Sequence, residues 1–563
     1  MLPKPLAAAA AASRVRSPVA VHMSDVALLS SCGLLGAVAV SIASAAAELA
    51  LGRAVSAASL LPGGIAIAAV PLGSALVRDR SRRAWMLGLL GATLSCAIVV
   101  FAFLVAPWRY DTSFDGVGYH QFAVTEIARG WNPWRVSGVP REHYSPDMLQ
   151  YFPKGAWLVE AAIFRLTGRL EVAKGLHFVM LGAAGLAAFT LLRRLRAGLL
   201  ASALVDTLAA LNPVSACQTF TFYVDGLLAS SFTSLVALAV VALLGGERVA
   251  LVGAACATVV LVDVKLTGVP YAVVVWACFA AAALVGGGRR AGVAFVSTGG
   301  LACAVAMVFT GYNPYVTNTL TAGHPLHPAA GPHARNFVRA SRPPGFDDMT
   351  RVERVFRSVF SSSSTDAPDG RPRLKLPFTV AGDEATKFHA PDVRVGGFGP
   401  FFGGALVLAV LAFLLAASAP GALSAALAAA LMTGTVLITG EGWWARLAPQ
   451  LWLVPLVLVI PGLRARRWAP RTAAALVLAV LVADAGLVAV NHLNRNRTVQ
   501  AEIRAQLAEL RSRGPVEVDL GPHRSVSERL TEAGLRWKEA APLHCGAPAR
   551  LAGTFFGRVC PAP

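Results

Sequence analysis

Residues 84–120 read AWMLGLLGATLSCAIVVFAFLVAPWRYDTSFDGVGYH, and this stretch decides the class of fold. From Ala84 to Trp108 no side chain is charged, directly after the basic run RDRSRR at 78–83. Roughly 20 mostly apolar residues carry a helix across the hydrocarbon core of a bilayer, where every backbone polar group has to be bonded within the segment. The stretch therefore predicts a membrane-spanning helix. It starts at a basic face and delivers its far end into a loop dense in aromatic and acidic residues.

Similar runs recur along the chain, with expected starts near Val26, Ala57, Ala84, Val172, Leu199, Gly226, Val249, Gly268, Ala291, Gly399, Gly421, Leu447 and Thr472, about thirteen spans in all. The 563 residues are 55% hydrophobic and only 14% charged, against about 25% charged in soluble domains. A soluble enzyme is excluded. The predicted fold is an all-α polytopic membrane protein. A disordered lead over 1–25 precedes the membrane domain at 26–490, and a small α/β domain follows at 491–563.

The net charge of +19 is explained by where the charges lie. Alternate turns collect Arg78, Arg80, Arg82 and Arg83; Arg193, Arg194 and Arg196; Arg248; Arg289 and Arg290; and Arg464, Arg466, Arg467 and Arg471. With Lys4, Arg14 and Arg16 that face holds 17 basic residues against Asp25, Asp79 and Glu247, which is +14 of the total. The positive-inside rule makes it cytoplasmic. Nucleic acid is thereby removed as the reason for the charge. The polar segments 107–171, 311–398 and 491–563 are expected on the outer, extracytoplasmic face of an inner-membrane protein.

The tail reads as a compact unit. Gln500 to Arg511 has helical character, PVEVDL alternates as a strand does, Ser525 with Glu528 forms a capping-box pattern, and GTFFGRV is expected as a second strand. Cys545 and Cys560 share this tail in a compartment where disulfides persist, and whether they pair is left open. The other six cysteines lie in or beside apolar spans, where Cys behaves as a small hydrophobe. In 154–167, KGAWLVEAAIFRLT, Trp157, Ala161 and Phe164 share a helical face, with Lys154, Glu160 and Arg165 elsewhere. That pattern suits a helix lying at the membrane interface.

Acidic groups at a membrane boundary are costly to desolvate and mark function when they face a cavity. Asp111, Asp115, Glu126, Glu142 and Asp147 lie in the first outer segment, and Asp225 lies at the outer mouth of a span in FYVDGLL. Asp115 and Asp225 stand out because their neighbours are aromatic and apolar. On the same face, Lys265 in LVDVKLTG and Arg446 in GEGWWARLAPQ run against the charge rule. They either snorkel or hold the phosphate of a lipid. His120, His143, His324 and His327 also fall there, but H-P-L-H-P is not the i, i+4 spacing of a helical zinc site and no Cys accompanies it. No metal site is assigned, and hydrogen bonding to a polar substrate is the better reading.

FDGVGYHQFAVTEIARGWNP, YFPKGAWLVEAAIFRLTG, FYVDGLL, VKLTG, YNPYVTN with GHPLHP, and EGWWARLAPQ follow in order over roughly residues 84–490. In this order and placement the chain resembles the GT-C superfamily of integral-membrane glycosyltransferases, including the protein mannosyltransferase and lipid A aminoarabinose transferase branches. The chain departs from that pattern at Asp115, which Gly116 follows where many relatives carry an Asp-Glu pair, and in two extra spans before the acidic loop. The resemblance implies an inverting transfer of a sugar from a polyprenyl-phosphate donor to a hydroxyl of an acceptor glycan, lipid or protein. It implies Asp115 as general base, Asp225 as the group orienting acceptor or sugar, and Lys265 and Arg446 as donor-phosphate ligands. Tyr119, His120, Trp131 and Trp134 would form the sugar-facing wall, with His324 as a further substrate contact; it leaves any metal requirement open. The competing class is a transporter or flippase for a lipid-linked saccharide. Transporters more often bury charges at the midplane and show repeated halves, and neither is present in this sequence.

Overall fold

The computed structural model describes residues 18–78, 80–136, 138–139, 145–365 and 371–561. The helices that build the bundle are α1 (Pro18–Ala50), α2 (Leu61–Arg78) and α3 (Arg82–Val105), then, after two short helices α4 (Gln121–Ala128) and α5 (Gly155–Thr167), α6 (Gly175–Arg194), α7 (Leu199–Ala210), α8 (Asp225–Gly245), α9 (Arg248–Val264) and α10 (Gly268–Ala304). A loop bearing α11 (Arg351–Val359) leads to α12 (Phe402–Leu415), α13 (Ala422–Ile438), α14 (Leu453–Arg464) and the long α15 (Trp468–Arg513). Seven helical segments among the described residues are long and apolar enough to cross a membrane, and four shorter apolar helices accompany them. Their length and composition are those of a helical membrane protein.

α1 is the axis of the first half, packed by α2, α3, α6 and α9. Its Ala, Ser and Gly positions let neighbouring backbones come close, as helix packing in lipid requires. α10 is two antiparallel helices in one run. The chain reverses at Gly288, whose φ of +78° suits a residue without Cβ, and Phe279 and Phe295 then stack across the hairpin. Turns alternate between two ends of the bundle. At the basic end Arg194 of α6 bridges Asp25 of α1 at 2.6 Å and Glu247 at 2.9 Å, so the two acids described there are tied into the ends of three helices.

The C-terminal unit is a four-stranded sheet in the order β2 (Trp537–Glu539), β1 (Val516–Asp519), β4 (Arg558–Pro561), β3 (Ala549–Arg550), with β1 and β2 parallel and the other pairs antiparallel. The short helix α16 (Val526–Glu532) packs on it, beside the last turns of α15. Cys545 and Cys560 are joined by a disulfide.

Several expectations need correction. α1 opens at Pro18, within the expected lead, and residues 1–17 lie outside the described residues. No break separates membrane and tail near 490, because α15 runs through to Arg513 and its last turns carry Ile503, Leu507 and Leu510 into the core of the C-terminal unit. α5 is not an interface helix, since Lys154 and Glu160 are as buried as Trp157; the space around them is closed by α1, α4 and α6. Ser525 does not cap α16. Its hydroxyl donates instead to the carbonyl of Val117 at 3.0 Å, so a contact between units outweighs the local one. In GTFFGRV only Arg558 and Val559 enter a strand, because Thr554 Oγ1 accepts from Gly557 N and folds the segment into a turn.

Candidate functional site

The site lies at the end of the bundle opposite the basic turns, and its architecture starts from Asp111. That carboxylate accepts hydrogen bonds from Ser113 N at 2.8 Å, Ser113 Oγ at 2.7 Å and Phe222 N at 2.8 Å. One buried side chain thus staples the loop leading to Asp115 onto the turn leading to Asp225. Gly116 is required beside it, because a Cβ there would sit 2.0 Å from Asp111 Oδ2. Burial pushes the Asp111 carboxyl up to about 6. Glu171, itself paired with Lys174, accepts from Asp111 N.

Past Gly116 the chain makes a π-helical turn to His120 and continues as α4. The C-terminal unit clamps this turn. Val117 belongs to that unit's apolar core, Arg529 donates to the Asp111 carbonyl at 2.7 Å, and Gln500 exchanges hydrogen bonds with the backbone of Tyr110.

Four segments far apart in sequence meet around Arg446. Its Nη2 lies 2.6 Å from Asp115 Oδ2, its Nε 3.4 Å from Asp225 Oδ2 and its Nη1 3.5 Å from Asp392 Oδ2. The guanidinium carbon also lies over the rings of Tyr223 and Trp444, 4.7 and 4.8 Å from their centroids. Lys265 pairs with the other oxygen of Asp225, and Gln218 donates to Asp225 Oδ2 at 3.0 Å. Tyr223 Oη donates to Asp392 at 3.3 Å and accepts from Asp115 N at 3.4 Å. Burial lowers the Lys265 ammonium from its ordinary value and raises the Asp392 carboxyl from its own. Asp225 is fully buried, whereas Asp115 and Asp392 are partly open.

Asp115, Asp225, Lys265 and Arg446 are thus brought together, and Asp392 and Tyr223 complete the group. With all groups charged, three carboxylates surround two cations. Neither cation is idle, so an anionic ligand at Arg446 has to compete with Asp115 for the guanidinium. That competition also gives the site a chemical capacity, because drawing Arg446 away leaves Asp115 free to accept a proton.

The aromatic wall divides. His120 packs against Tyr119, Tyr223 and Trp157, beside the cluster. Trp157 Nε1 donates to His120 Nδ1 at 2.8 Å, and indole is a donor only, so the imidazole proton sits on Nε2. Burial pushes this imidazole down to about 3. Trp131 and Trp134 go elsewhere. Trp131 is buried in the main core, and Trp134 packs on Phe309 and Tyr312. His324 lies in the turn packed on Gly331, where its Nδ1 accepts from Leu326 N. Glu126 pairs with Arg129, and Asp147 pairs with Arg335. Glu142 and His143 lie outside the described residues. Among the described residues no three His, Cys, Asp or Glu side chains are placed so that they could hold a metal ion together.

Asp392, in HAPDVRVGG, carries no local signal that separates it from an ordinary loop acid. Tyr223 stands two residues before Asp225 in FYVDGLL, and an aromatic hydroxyl beside a boundary acid is the signal that marks it. No family model matches the chain, and no curated protein matches it.

Proposed function

We propose that this chain is a membrane glycosyltransferase that moves a sugar from a polyprenyl-phosphate donor to an acceptor hydroxyl. The observation that carries this reading is the single ionic cluster in which a boundary carboxylate, Asp115, is held by an arginine that a lipid phosphate would attract. Donor phosphate draws Arg446 off Asp115 and takes its place against Arg446 and Lys265. The acceptor hydroxyl then attacks the anomeric carbon from the face opposite the phosphate. Asp115 takes the hydroxyl proton, the bond from carbon to phosphate oxygen breaks, and the polyprenyl phosphate leaves with its charge neutralised by the two cations. Charge stabilisation of this kind often supplies the largest part of catalysis. Asp225 holds both cations in position, and Asp392 takes a share of Arg446 once Asp115 is released.

Thirteen crossings accompany this reading, with the basic end cytoplasmic and the cluster and C-terminal unit on the outer face of the inner membrane. The alternation of turns between the two ends and the arginine bias support that orientation. The experiment is transfer from a panel of polyprenyl-phosphate sugars by the purified chain in detergent, with and without chelator and with Asp115→Asn as control. Transfer by the wild type and none by the variant is expected. Absence of transfer from every donor, together with saccharide-lipid translocation in vesicles, would point to the transporter class instead.

A further inference from the structure

α11 carries an apolar stripe that the protein covers only in part. Val352, Val355, Phe356 and Val359 fall within one face of a 3.6-residue helix. Val355 and Val359 pack into the main core, whereas Val352 is 59% and Phe356 56% exposed. The helix is fixed firmly enough for this exposure to be structural. Thr350 and Glu353 form a capping box. Arg351 donates to the carbonyls of Leu437 and Ile438, and Arg354 to that of Gly440, so both seal the end of α13. Val359 abuts Gly403 at the first turn of α12.

The exposed stripe continues onto a neighbouring segment. Lys375 N donates to the carbonyl of Phe360 and Ser362 N to that of Arg373, which sets 373–375 beside the end of α11. From there Leu374, Leu376, Phe378 and Val380 are all exposed, and the Phe378 ring lies over Gly404 of α12. Soluble surfaces rarely leave contiguous apolar patches of this kind open. Through Phe378 on Gly404 and Arg351 at Leu437 and Ile438 the patch meets two bundle helices that themselves expose apolar side chains, Val407, Val410 and Leu411 on α12 and Leu427 and Ile438 on α13. In the chain Arg351, Arg357 and Arg373 directly flank Val352, Phe356 and Leu374, with Arg351 and Arg373 exposed and Arg357 partly so.

We infer that α11 and residues 374–380 are seated in the lipid leaflet at the site end of the bundle, with Val352, Phe356, Leu376 and Phe378 among acyl chains and the arginines at headgroup phosphates. Amphipathic helices with a basic polar face lie in membranes in this way. The occupant follows from continuity, because the surface the patch prolongs is that of helices crossing the same membrane. A consequence concerns the cluster: Ser358 of α11 accepts from Gly396 N through its carbonyl at 3.1 Å and its hydroxyl at 3.3 Å, and Asp392 lies just upstream. The membrane-seated helix therefore holds the segment that brings Asp392 to Arg446. The inference rests on the membrane reading of the bundle and not on sugar transfer.

The test is power-saturation spectroscopy of single nitroxide side chains at 352, 356 and 376, with 353 as the water-facing control. It uses the full-length chain, its six free cysteines replaced, in nanodiscs of phosphatidylcholine and phosphatidylglycerol. Collision with oxygen relative to a water-soluble nickel chelate should be severalfold higher at 352, 356 and 376 than at 353. A ratio at 356 equal to that at 353 overturns the inference, as does shielding from both reagents, which would mean a second copy or another protein covers the patch. Should cysteine replacement impair folding, benzoylphenylalanine at 356 in the otherwise native chain decides. A phospholipid adduct is expected, and a protein adduct without lipid refutes the seating.

Discussion

Replacing Arg446 with alanine tests whether the cluster is one electrostatic unit. In the native chain the guanidinium contacts Asp115, Asp225 and Asp392. Its loss leaves Lys265 alone against three carboxylates. Breaking a buried ion pair by removing one partner costs about 3–5 kcal/mol. Asp225 keeps Lys265, and water reaches Asp115 and Asp392 in part, so the lower end, about 3 kcal/mol, is expected here. Asp115→Asn alone leaves Arg446 two other acids and should cost about 1 kcal/mol, the scale of a single hydrogen bond. In the double variant one stranded charge is gone, so its cost should fall short of the sum by about 1–2 kcal/mol, as contacting charged residues allow. Equilibrium unfolding in mixed micelles, run on the four proteins of the cycle, measures this. Additivity within about 0.5 kcal/mol would refute the coupling and with it the idea that donor phosphate and Asp115 compete for one guanidinium.

Asp115→Asn should lower transfer about a hundredfold to ten thousandfold, the usual cost of losing a general base, while donor binding persists; near-native turnover would sink the base assignment. Lys265→Ala and Arg446→Ala should each weaken polyprenyl-phosphate binding in titrations, and Arg446→Lys should recover only part of it, since lysine lacks the planar fork. His120, held near 3 by burial against an ordinary value near 6.5, resists protonation when folded but not when unfolded. Its contribution is present above pH 6.5 and lost as pH falls from there toward 3. At pH 5 that amounts to about 2 kcal/mol, so the unfolding free energy of His120→Gln should depend less on pH between 6.5 and 5; an unchanged slope counts against the burial argument. Cysteine labelling from one side of sealed vesicles should separate position 80 from 350 and 520, and finding 80 with 520 would reverse the proposed orientation.

The sequence alone determined that the chain builds long apolar helices of membrane-spanning length, because an uncharged run such as 84–108 has one low-energy option in lipid, and arginine placement separated the two ends. It also singled out Asp115, Asp225, Lys265 and Arg446, because charge beside apolar turns is costly and has to be balanced by something. Composition could not say by what. That Asp225 balances Lys265 while Arg446 spans three acids depends on how four distant turns are packed, and Asp392, an unremarkable loop acid in sequence, joins them because Trp444 Nε1 donates to its carbonyl, Tyr223 to its carboxylate, and Ser358 holds Gly396 just downstream. Trp131 and Trp134 went the other way, into apolar packing, since an aromatic run reads alike whether it lines a site or fills a core. Ser525 shows the same limit at short range. A capping pattern is local, but the hydroxyl went to Val117, 408 positions away, where the C-terminal unit closes on the turn after Asp115.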